Sequence, residues 1–159
     1  MNDIFLITVR HSGTRFFLDM MEKALQCSHH LLEGPNEPNP KRYPFVFAHI
    51  NNRDLHCIEK YMEMYSPLLI TTERNYQDVH ESWRKRGRRI SLLRENIEIA
   101  QCLIQKYSPI IVSVDSIFRD MRLYQLGEAL GIKFETDWEP VGQYGDHGKQ
   151  YDPLGWKST

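Results

Sequence analysis

The chain has 159 residues, of which 41% are hydrophobic, and this supply of apolar side chains is enough for one core. We therefore interpret residues 1–159 as a single domain. The 20 lysines and arginines nearly balance the 21 aspartates and glutamates, which leaves a net charge of −1. Such a balance gives no overall field that would attract nucleic acid or an anionic membrane, so we expect neither as a partner and expect any anion site to be local.

The start of the chain does not resemble a targeting segment. Asp3 lies where a signal peptide carries positive charge, and the apolar run of residues 4–9 is too short for a signal peptide or a membrane span. We therefore expect a cytoplasmic protein.

The three cysteines do not have the pattern of a disulfide framework. Cys27, Cys57 and Cys102 are odd in number and widely spaced, which predicts reduced and mostly buried thiols. Cys27 lies close in sequence to His29 and His30, but no fourth ligand follows at an accepted spacing, so we predict no metal site.

Short β-rich apolar runs alternate with helical patterns along the chain. The runs are residues 4–9, 43–48, 68–72 and 110–114, and the helical patterns are residues 17–25, 55–62, a segment from Asn75 or Asp78 to about 84, 93–104 and 117–124. Proline-rich residues 34–41 predict an irregular connection, and residues 140–159 predict an irregular tail or a lid. The alternation predicts a three-layer α/β fold in which helices cover both faces of a mostly parallel sheet. Ligands bind such sheets at the carboxyl ends of the strands, so the polar residues that follow each strand are the candidate site residues.

The first strand run ends in a turn with the chemistry of an anion site. A helical pattern follows this turn, and the first N–H groups of a helix have no partner within it, so a short glycine-containing turn there can bind an anion. Ser12 and Thr14 add hydroxyl donors, while Arg10 and Arg15 add charges that suit phosphate or sulfate oxygens. A purely structural helix cap is the alternative interpretation. The motif Gly-x-x-x-x-Gly-Lys-Ser/Thr does not occur in the chain, which argues against a kinase or a GTPase.

A second candidate anion site follows the third strand run. Arg74 comes directly after that strand, and Ser82 lies eight positions later in the predicted helix. The turn carries the chain back over the strand end, so this guanidinium and hydroxyl can converge on one phosphate. An exposed arginine beside an ordinary capped helix is the alternative. We interpret the basic run Arg84–Arg89 as the solvated end of the helix, where it can add to the field around the same phosphate, rather than as a nucleic-acid patch.

A histidine at a strand end is the candidate general base. His49 follows the second strand run at the same predicted edge of the sheet as the turn and Arg74. The ordinary histidine pKa of about 6.5 suits the removal of a proton from a hydroxyl near neutral pH. A structural histidine is the alternative interpretation.

These segments resemble motifs of the sulfotransferases. Val9-Arg10-His11-Ser12-Gly13-Thr14-Arg15-Phe16 resembles the family's 5′-phosphosulfate loop, Pro-Lys-Ser-Gly-Thr-Thr-Trp in cytosolic members and Val-Arg-Lys-Gly-Gly-Thr-Arg in heparan-modifying members. Residues 69–83 resemble the family's 3′-phosphate element, Arg-Asn-Pro-x-Asp-Val-x-x-Ser, with Arg74 and Ser82 at the matching positions. Phe47-Ala48-His49-Ile50 resembles the Lys-Thr-His-Leu segment that carries the family's base. The resemblance extends over about residues 4–135 and implies a sulfotransferase or P-loop-like nucleotide-binding fold.

The resemblance also implies a ligand and the residues that bind it. The ligand is 3′-phosphoadenosine 5′-phosphosulfate (PAPS), and the product is adenosine 3′,5′-bisphosphate (PAP). The residues implied at the 5′-phosphosulfate are Arg10, His11, Ser12, Gly13, Thr14 and Arg15. Phe16 takes the position of the Trp that stacks on the adenine in the family, and Arg74 and Ser82 are the residues implied at the 3′-phosphate. His11 stands where the family has a lysine. We expect an adjoining anion to keep this imidazole protonated, or Arg10 or Arg15 to supply the charge instead.

The implied function is transfer of a sulfuryl group from PAPS to a hydroxyl or amine acceptor. His49 would act as the base, and His11 and Arg10 would stabilise charge on the departing phosphate. A non-catalytic module that binds a nucleotide or another phosphate is the alternative, and a nucleotide-kinase relative is a third. The sequence does not identify the acceptor, and we expect a homo-oligomer or the segment of residues 34–44 to complete its pocket.

Overall fold

The computed structural model describes residues 3–11, 14–113 and 122–133 of the chain. Five strands and five helices lie in these ranges: β1 (Ile4–Thr8), α1 (Thr14–Leu25), β2 (His30–Leu31), β3 (Phe45–His49), α2 (Leu55–Tyr65), β4 (Leu68–Glu73), α3 (Tyr76–Lys85), α4 (Ile90–Tyr107), β5 (Ile110–Ser113) and α5 (Arg122–Leu130). In this part of the chain no helix is long and apolar enough to cross a membrane.

The strands form one parallel sheet with β1 at its centre. The order is β2-β3-β1-β4-β5, and every neighbouring pair is parallel. Thr8 at the end of β1 is level with His49 at the end of β3, and Ile7 is level with Thr71 of β4. The carboxyl ends of the three central strands therefore meet at one edge, where the turn, His49 and Arg74 follow them.

Helices pack on both faces of the sheet, which confirms the predicted three-layer α/β fold. All five residues of β1 are buried, and its four apolar residues alternate between two apolar clusters. Phe5 and Ile7 belong to a cluster with residues of α2, α3 and α4, whereas Ile4 and Leu6 pack with residues of α1 and α5. A central parallel strand that is covered on both sides accounts for the unbroken apolar run in the sequence.

Four details differ from the sequence-based expectation or lie outside the described residues. The short strand β2 was not predicted, and α4 begins at Ile90 rather than near residue 93. The prediction of mostly buried thiols is wrong, since Cys57 is buried but Cys102 is exposed on α4 and Cys27 is only half-buried. Cys102 is exposed because it lies on the outer face of its helix, whereas the neighbouring Leu103 faces the core. Residues 117–121 and the tail of residues 140–159 lie outside the described residues, and among the described ones no cluster of ligands could hold a metal ion.

The segment of residues 33–44 is fixed along α2 by polar contacts. Lys60 donates to the carbonyl of Pro38 at 2.6 Å, and the Tyr65 hydroxyl donates to the carbonyl of Pro40 at 2.7 Å. The imidazole of His30 stacks on Tyr43 with ring centroids 3.9 Å apart. The irregular connection is therefore an ordered segment packed against one helix.

A buried carboxylate joins this segment to the start of α2. Asp54 is 1% exposed and accepts hydrogen bonds from the backbone N–H of Gly34 at 2.9 Å and from the Asn51 amide at 2.9 Å. Arg53 donates to the same carboxylate at 3.3 Å. Burial by itself would raise the pKa of Asp54, but these donors outweigh it and lower the pKa below its ordinary value of 3.8. Asp54 is therefore ionised and holds residues 33–34 against the helix.

We expect Asp54→Ala to lower the free energy of unfolding by about 2–3 kcal/mol, because it leaves the Gly34 N–H and the Asn51 amide without their acceptor. Urea unfolding at neutral pH measures this loss. Glu63→Ala, which removes an exposed acid from α2, is the matched control and should change stability by less than about 0.5 kcal/mol. Equal stability of the two variants would contradict the anchoring role of Asp54.

Candidate functional site

The turn after β1 is the centre of the candidate site. The hydroxyls of Thr8, at the end of β1, and Thr14, at the start of α1, share a hydrogen bond of 2.6 Å. His11 between them has a φ of +68°, a left-handed conformation that costs energy for a residue with a Cβ and persists only where surrounding contacts hold it. Ser12, Gly13 and the Phe16 side chain, three of the predicted nucleotide contacts, lie outside the described part of the chain.

Residues of the β4–α3 unit hold the carbonyl groups of this turn. Arg74 donates from its guanidinium to the carbonyl of His11 at 3.1 Å, and the Trp83 indole donates to the carbonyl of Arg10 at 2.9 Å. Trp83 is 1% exposed, so its indole N–H needs an internal partner and finds one in the turn. The turn after β1 and the segment after β4 therefore form one hydrogen-bonded unit, although their contacting residues are more than sixty positions apart in the sequence.

The start of α3 explains why Arg74 lies at this edge. The Asn75 side chain accepts hydrogen bonds from the N–H groups of Gln77 and Asp78, which caps the helix directly after Arg74. Val79, Ser82 and Trp83 form the buried face of α3, with the three- and four-residue spacing of an amphipathic helix. Ser82 has no exposed surface, whereas Arg74 is only half-buried.

His49 lies beside the turn on the side of β3. Its ring packs edge-on against Phe47 with centroids 4.8 Å apart, and the next residue, Ile50, donates its N–H to the carbonyl of Thr8 at 2.8 Å. The His49 Nδ1 atom is buried and has no hydrogen-bond partner within the described ranges. The described part of the site thus contains a buried ring nitrogen without a hydrogen-bond partner.

Burial and nearby charges keep the imidazole of His49 neutral at pH 7. Burial, followed by the charge of Arg10 and more weakly those of Arg88 and Arg53, lowers the pKa of His49 from 6.5 to about 4, and the Asp54 carboxylate opposes them in part. The pKa of Arg10 is also lowered, by burial and by the repulsion of Arg88 and Arg53. A neutral imidazole at pH 7 can accept a proton, as the candidate base must.

The structure brings several of the predicted site residues to one edge of the sheet. Arg10, His11, Thr14, Arg74 and His49 follow or flank the ends of β1, β3 and β4. Arg15 is exposed on the first turn of α1, and its charge is not among those that shift the pKa of His49 or Arg10.

The sequence-based reasoning missed three residues of this site. Trp83 fixes the turn, Asp54 anchors the neighbouring segment, and the charge of Arg53 contributes to the low pKa of His49. A buried tryptophan is ordinarily interpreted as core, so only its position directly after Ser82 could have signalled its role. Asp54 and Arg53 follow the same strand as His49, and that position was their available signal.

We expect folding stability to fall as the pH drops from about 6.5 toward about 4, because the unfolded chain binds a proton at His49 that the folded chain does not. Urea unfolding at about pH 7 and about pH 4.5 measures this dependence. His49→Gln should reduce it, and His56→Gln, which replaces an exposed histidine of α2, should leave it as in the parent. An unchanged dependence in His49→Gln would contradict the low pKa.

Comparisons with known proteins support the fold assignment. No protein-family model and no curated protein sequence matches the chain. The fold is similar to the crystal structure of mouse sulfotransferase SULT7A1 complexed with PAP, with a TM-score of 0.55 and 16% sequence identity over 84% of this chain and 60% of that one. The chain therefore spans 60% of the length of that structure. The five-stranded parallel sheet with its covering helices is accordingly a sulfotransferase-like α/β fold.

Proposed function

We propose that this protein binds PAPS and transfers its sulfuryl group to a hydroxyl or amine acceptor. PAPS, when bound, supplies the sulfuryl group, and PAP is the product. The contact between Arg74 and the His11 carbonyl is the observation that carries the proposal. This contact joins the turn after β1 to the segment after β4 at one edge of the sheet. A nucleotide with a 5′-phosphosulfate and a 3′-phosphate would need both of these segments.

The described residues have the chemistry that such a ligand requires. Arg10 and Arg74 provide guanidinium groups, which suit the oxygens of phosphate and sulfate. The Thr14 hydroxyl lies at the start of a helix, where N–H groups and the helix dipole favour anions. The fold of mouse SULT7A1, whose structure is a PAP complex, supports the same ligand.

His49 is the proposed general base. Transfer forms a bond from the acceptor oxygen or nitrogen to sulfur and breaks the bond from sulfur to the phosphate oxygen, which keeps the electron pair. His49 takes the proton that the acceptor loses. With a pKa of about 4 the imidazole is neutral at pH 7 and free to accept this proton, and an anion bound beside it would raise the pKa and strengthen the base.

Cationic groups of the turn are proposed to stabilise the departing phosphate. Arg10 lies two residues after the end of β1, is half-buried, and has no carboxylate within ion-pair distance among the described residues. Its charge is therefore available to a ligand. His11 takes the family lysine's position, and a phosphate beside it would favour its protonated form; Arg15 on the exposed turn of α1 can add to the same field. Charges that are already in place at the leaving group lower the barrier without reorganisation.

A non-catalytic module that binds the same nucleotide is the second candidate. The histidine at position 11 and the low pKa of His49 favour it, because both reduce the capacity for acid and base chemistry in the absence of ligand. A cytoplasmic location, a single domain and a homo-oligomer stay predictions from the sequence.

We expect Arg74→Ala to weaken PAP binding by about 1.5–3 kcal/mol, because it removes a charge-assisted contact to the 3′-phosphate. Isothermal titration calorimetry measures the affinity. Arg94→Ala, which removes an exposed arginine from α4, is the matched control and should bind PAP as the parent does. Unchanged affinity in Arg74→Ala, with thermal unfolding showing that it is folded, would remove Arg74 from the nucleotide site.

We expect His49→Ala to reduce transfer of labelled sulfate from PAPS by about 10²–10⁴-fold while PAP affinity is kept, since a general base contributes about that much to the rate. His56→Ala on the exposed face of α2 is the control and should transfer sulfate at the parental rate. Transfer by His49→Ala at that same rate would disprove the base assignment.

PAP binding by a parent protein that transfers sulfate to no acceptor of a broad panel would favour the non-catalytic module.

A further inference from the structure

The connection between α3 and α4 is an exposed basic turn. Five of the six residues 84–89 are arginine or lysine, and all six are exposed. The buried face of α3 consists of Val79, Ser82 and Trp83, so the basic residues begin where the helix leaves the core. The whole chain has a net charge of −1. This concentration of positive charge is therefore a local feature and does not result from an overall basic composition.

Contacts within the basic turn hold it in one shape. The N–H of Gly87 donates to the carbonyl of Arg84 at 3.0 Å, and the N–H of Arg88 donates to the carbonyl of Trp83 at 3.0 Å. Gly87 has a φ of +68°, the left-handed conformation that ends many helices together with this pair of bonds. The Arg88 guanidinium lies over the Trp83 ring, 5.8 Å from its centroid. Because the backbone of the turn is already ordered, a ligand that binds there pays little for ordering it.

Most of the positive charge of the basic turn is uncompensated. Lys85 is paired with Glu81 at 3.2 Å, and the first turn of α4 contains no acidic residue. The other basic residues have no carboxylate within ion-pair distance in the ranges that the structure describes; they are Arg84, Arg86, Arg88 and Arg89. Guanidinium groups bind carboxylates and other oxyanions through paired N–H donors. The basic turn therefore suits a ligand that carries several anionic groups close together.

The surroundings of the basic turn favour a short acidic peptide segment over other polyanions. Glu81 precedes the turn on α3, Glu95 and Glu98 follow it on α4, and all three are exposed. Their charges would repel the continuous phosphate backbone of a nucleic acid or the surface of an anionic membrane. Trp83 is 1% exposed, so the turn offers no aromatic ring on which a base could stack and no apolar side chain that could enter a membrane. A peptide with a few neighbouring carboxylates fits this bounded surface.

We infer that the basic turn is a docking surface for an acidic segment of a partner protein, whose aspartate or glutamate side chains pair with its arginines. This inference goes beyond the proposed function and does not depend on it. Charge complementarity of this kind speeds association and weakens as ionic strength rises. Arg88 packs on Trp83, which in turn donates to the Arg10 carbonyl of the turn after β1. A docked segment would therefore lie beside the candidate nucleotide site.

Fluorescence anisotropy of a labelled hexaglutamate peptide tests the docking surface. We expect the peptide to bind the parent protein, and to bind less tightly as salt is added. Arg86→Gln/Arg89→Gln should weaken this binding by at least about tenfold, because the double variant loses two charge-assisted contacts; Arg88 is left in place since it packs on Trp83. Lys41→Gln/Lys133→Gln removes the same charge from two exposed lysines outside the turn. This matched control should bind the peptide as the parent does, and thermal unfolding checks that both double variants are folded.

Several outcomes would overturn the inference. The parent protein could fail to bind the peptide, or the two double variants could bind it equally, which would reduce the effect to net charge. Competition between PAP and the peptide for one site would assign the arginines to the nucleotide. Tighter binding of a single-stranded oligonucleotide or of phosphatidylserine vesicles, with the same dependence on Arg86 and Arg89, would replace the acidic segment by nucleic acid or a membrane.

Two further measurements separate the docking surface from self-association and from the proposed function. Self-association of the parent protein that is lost in Arg86→Gln/Arg89→Gln, measured by sedimentation, would assign the surface to a second copy of this chain and overturn the inference. Peptide binding that depends on Arg86 and Arg89 in a protein that binds no PAP would overturn the proposed function and support the docking surface.

Discussion

The hydrogen bonds from Arg74 and Trp83 to the carbonyl groups of His11 and Arg10 constrain the whole candidate site. They hold a turn whose His11 has a left-handed backbone, a conformation that costs about 1 kcal/mol or more for such a residue unless contacts stabilise it. Both donors belong to the β4–α3 unit, and β4 pairs directly with β1. The pairing of β1 with β4 therefore brings both donors to the turn.

The sequence alone was sufficient for the sheet and for much of its polar edge. In the sequence, buried parallel strands are continuous runs of apolar residues, whereas the helices between them have apolar residues at every third or fourth position. Four of the five strands in the described part of the chain could therefore be located. Polar residues such as His49 and Arg74 follow directly after those runs, which placed them at one edge. The two-residue strand β2 is too short to leave a pattern, and it forms only because β3 offers its edge. The exposed Cys102 could not be distinguished from a core thiol, since its helix carries apolar residues on more than one face.

The remaining features depend on distant contacts that no local pattern reveals. Tryptophan is a residue type that usually packs in the core. The indole N–H of Trp83 contributes to the site only because the fold brings the Arg10 carbonyl to it. The same holds for Asp54, whose partners are Gly34 and Asn51. This carboxylate has two effects, since it fixes the segment of residues 33–34 to α2 and also offsets part of the positive charge that acts on His49. One buried group thus anchors the segment beside β3 and also opposes, in part, the burial and the Arg10 charge that lower the pKa of His49.

The neutral imidazole of His49 is a weak base in the ligand-free protein, first because it is buried and then because of charges such as that of Arg10, which would also attract anions. Each anion that binds beside Arg10 or Arg88 cancels part of the repulsion that lowers the pKa of His49, so binding and basicity rise together. A nucleotide bound at the turn would supply such a charge. Burial would still hold the pKa of the imidazole below its ordinary value, because burial rather than charge is the largest cause of the shift.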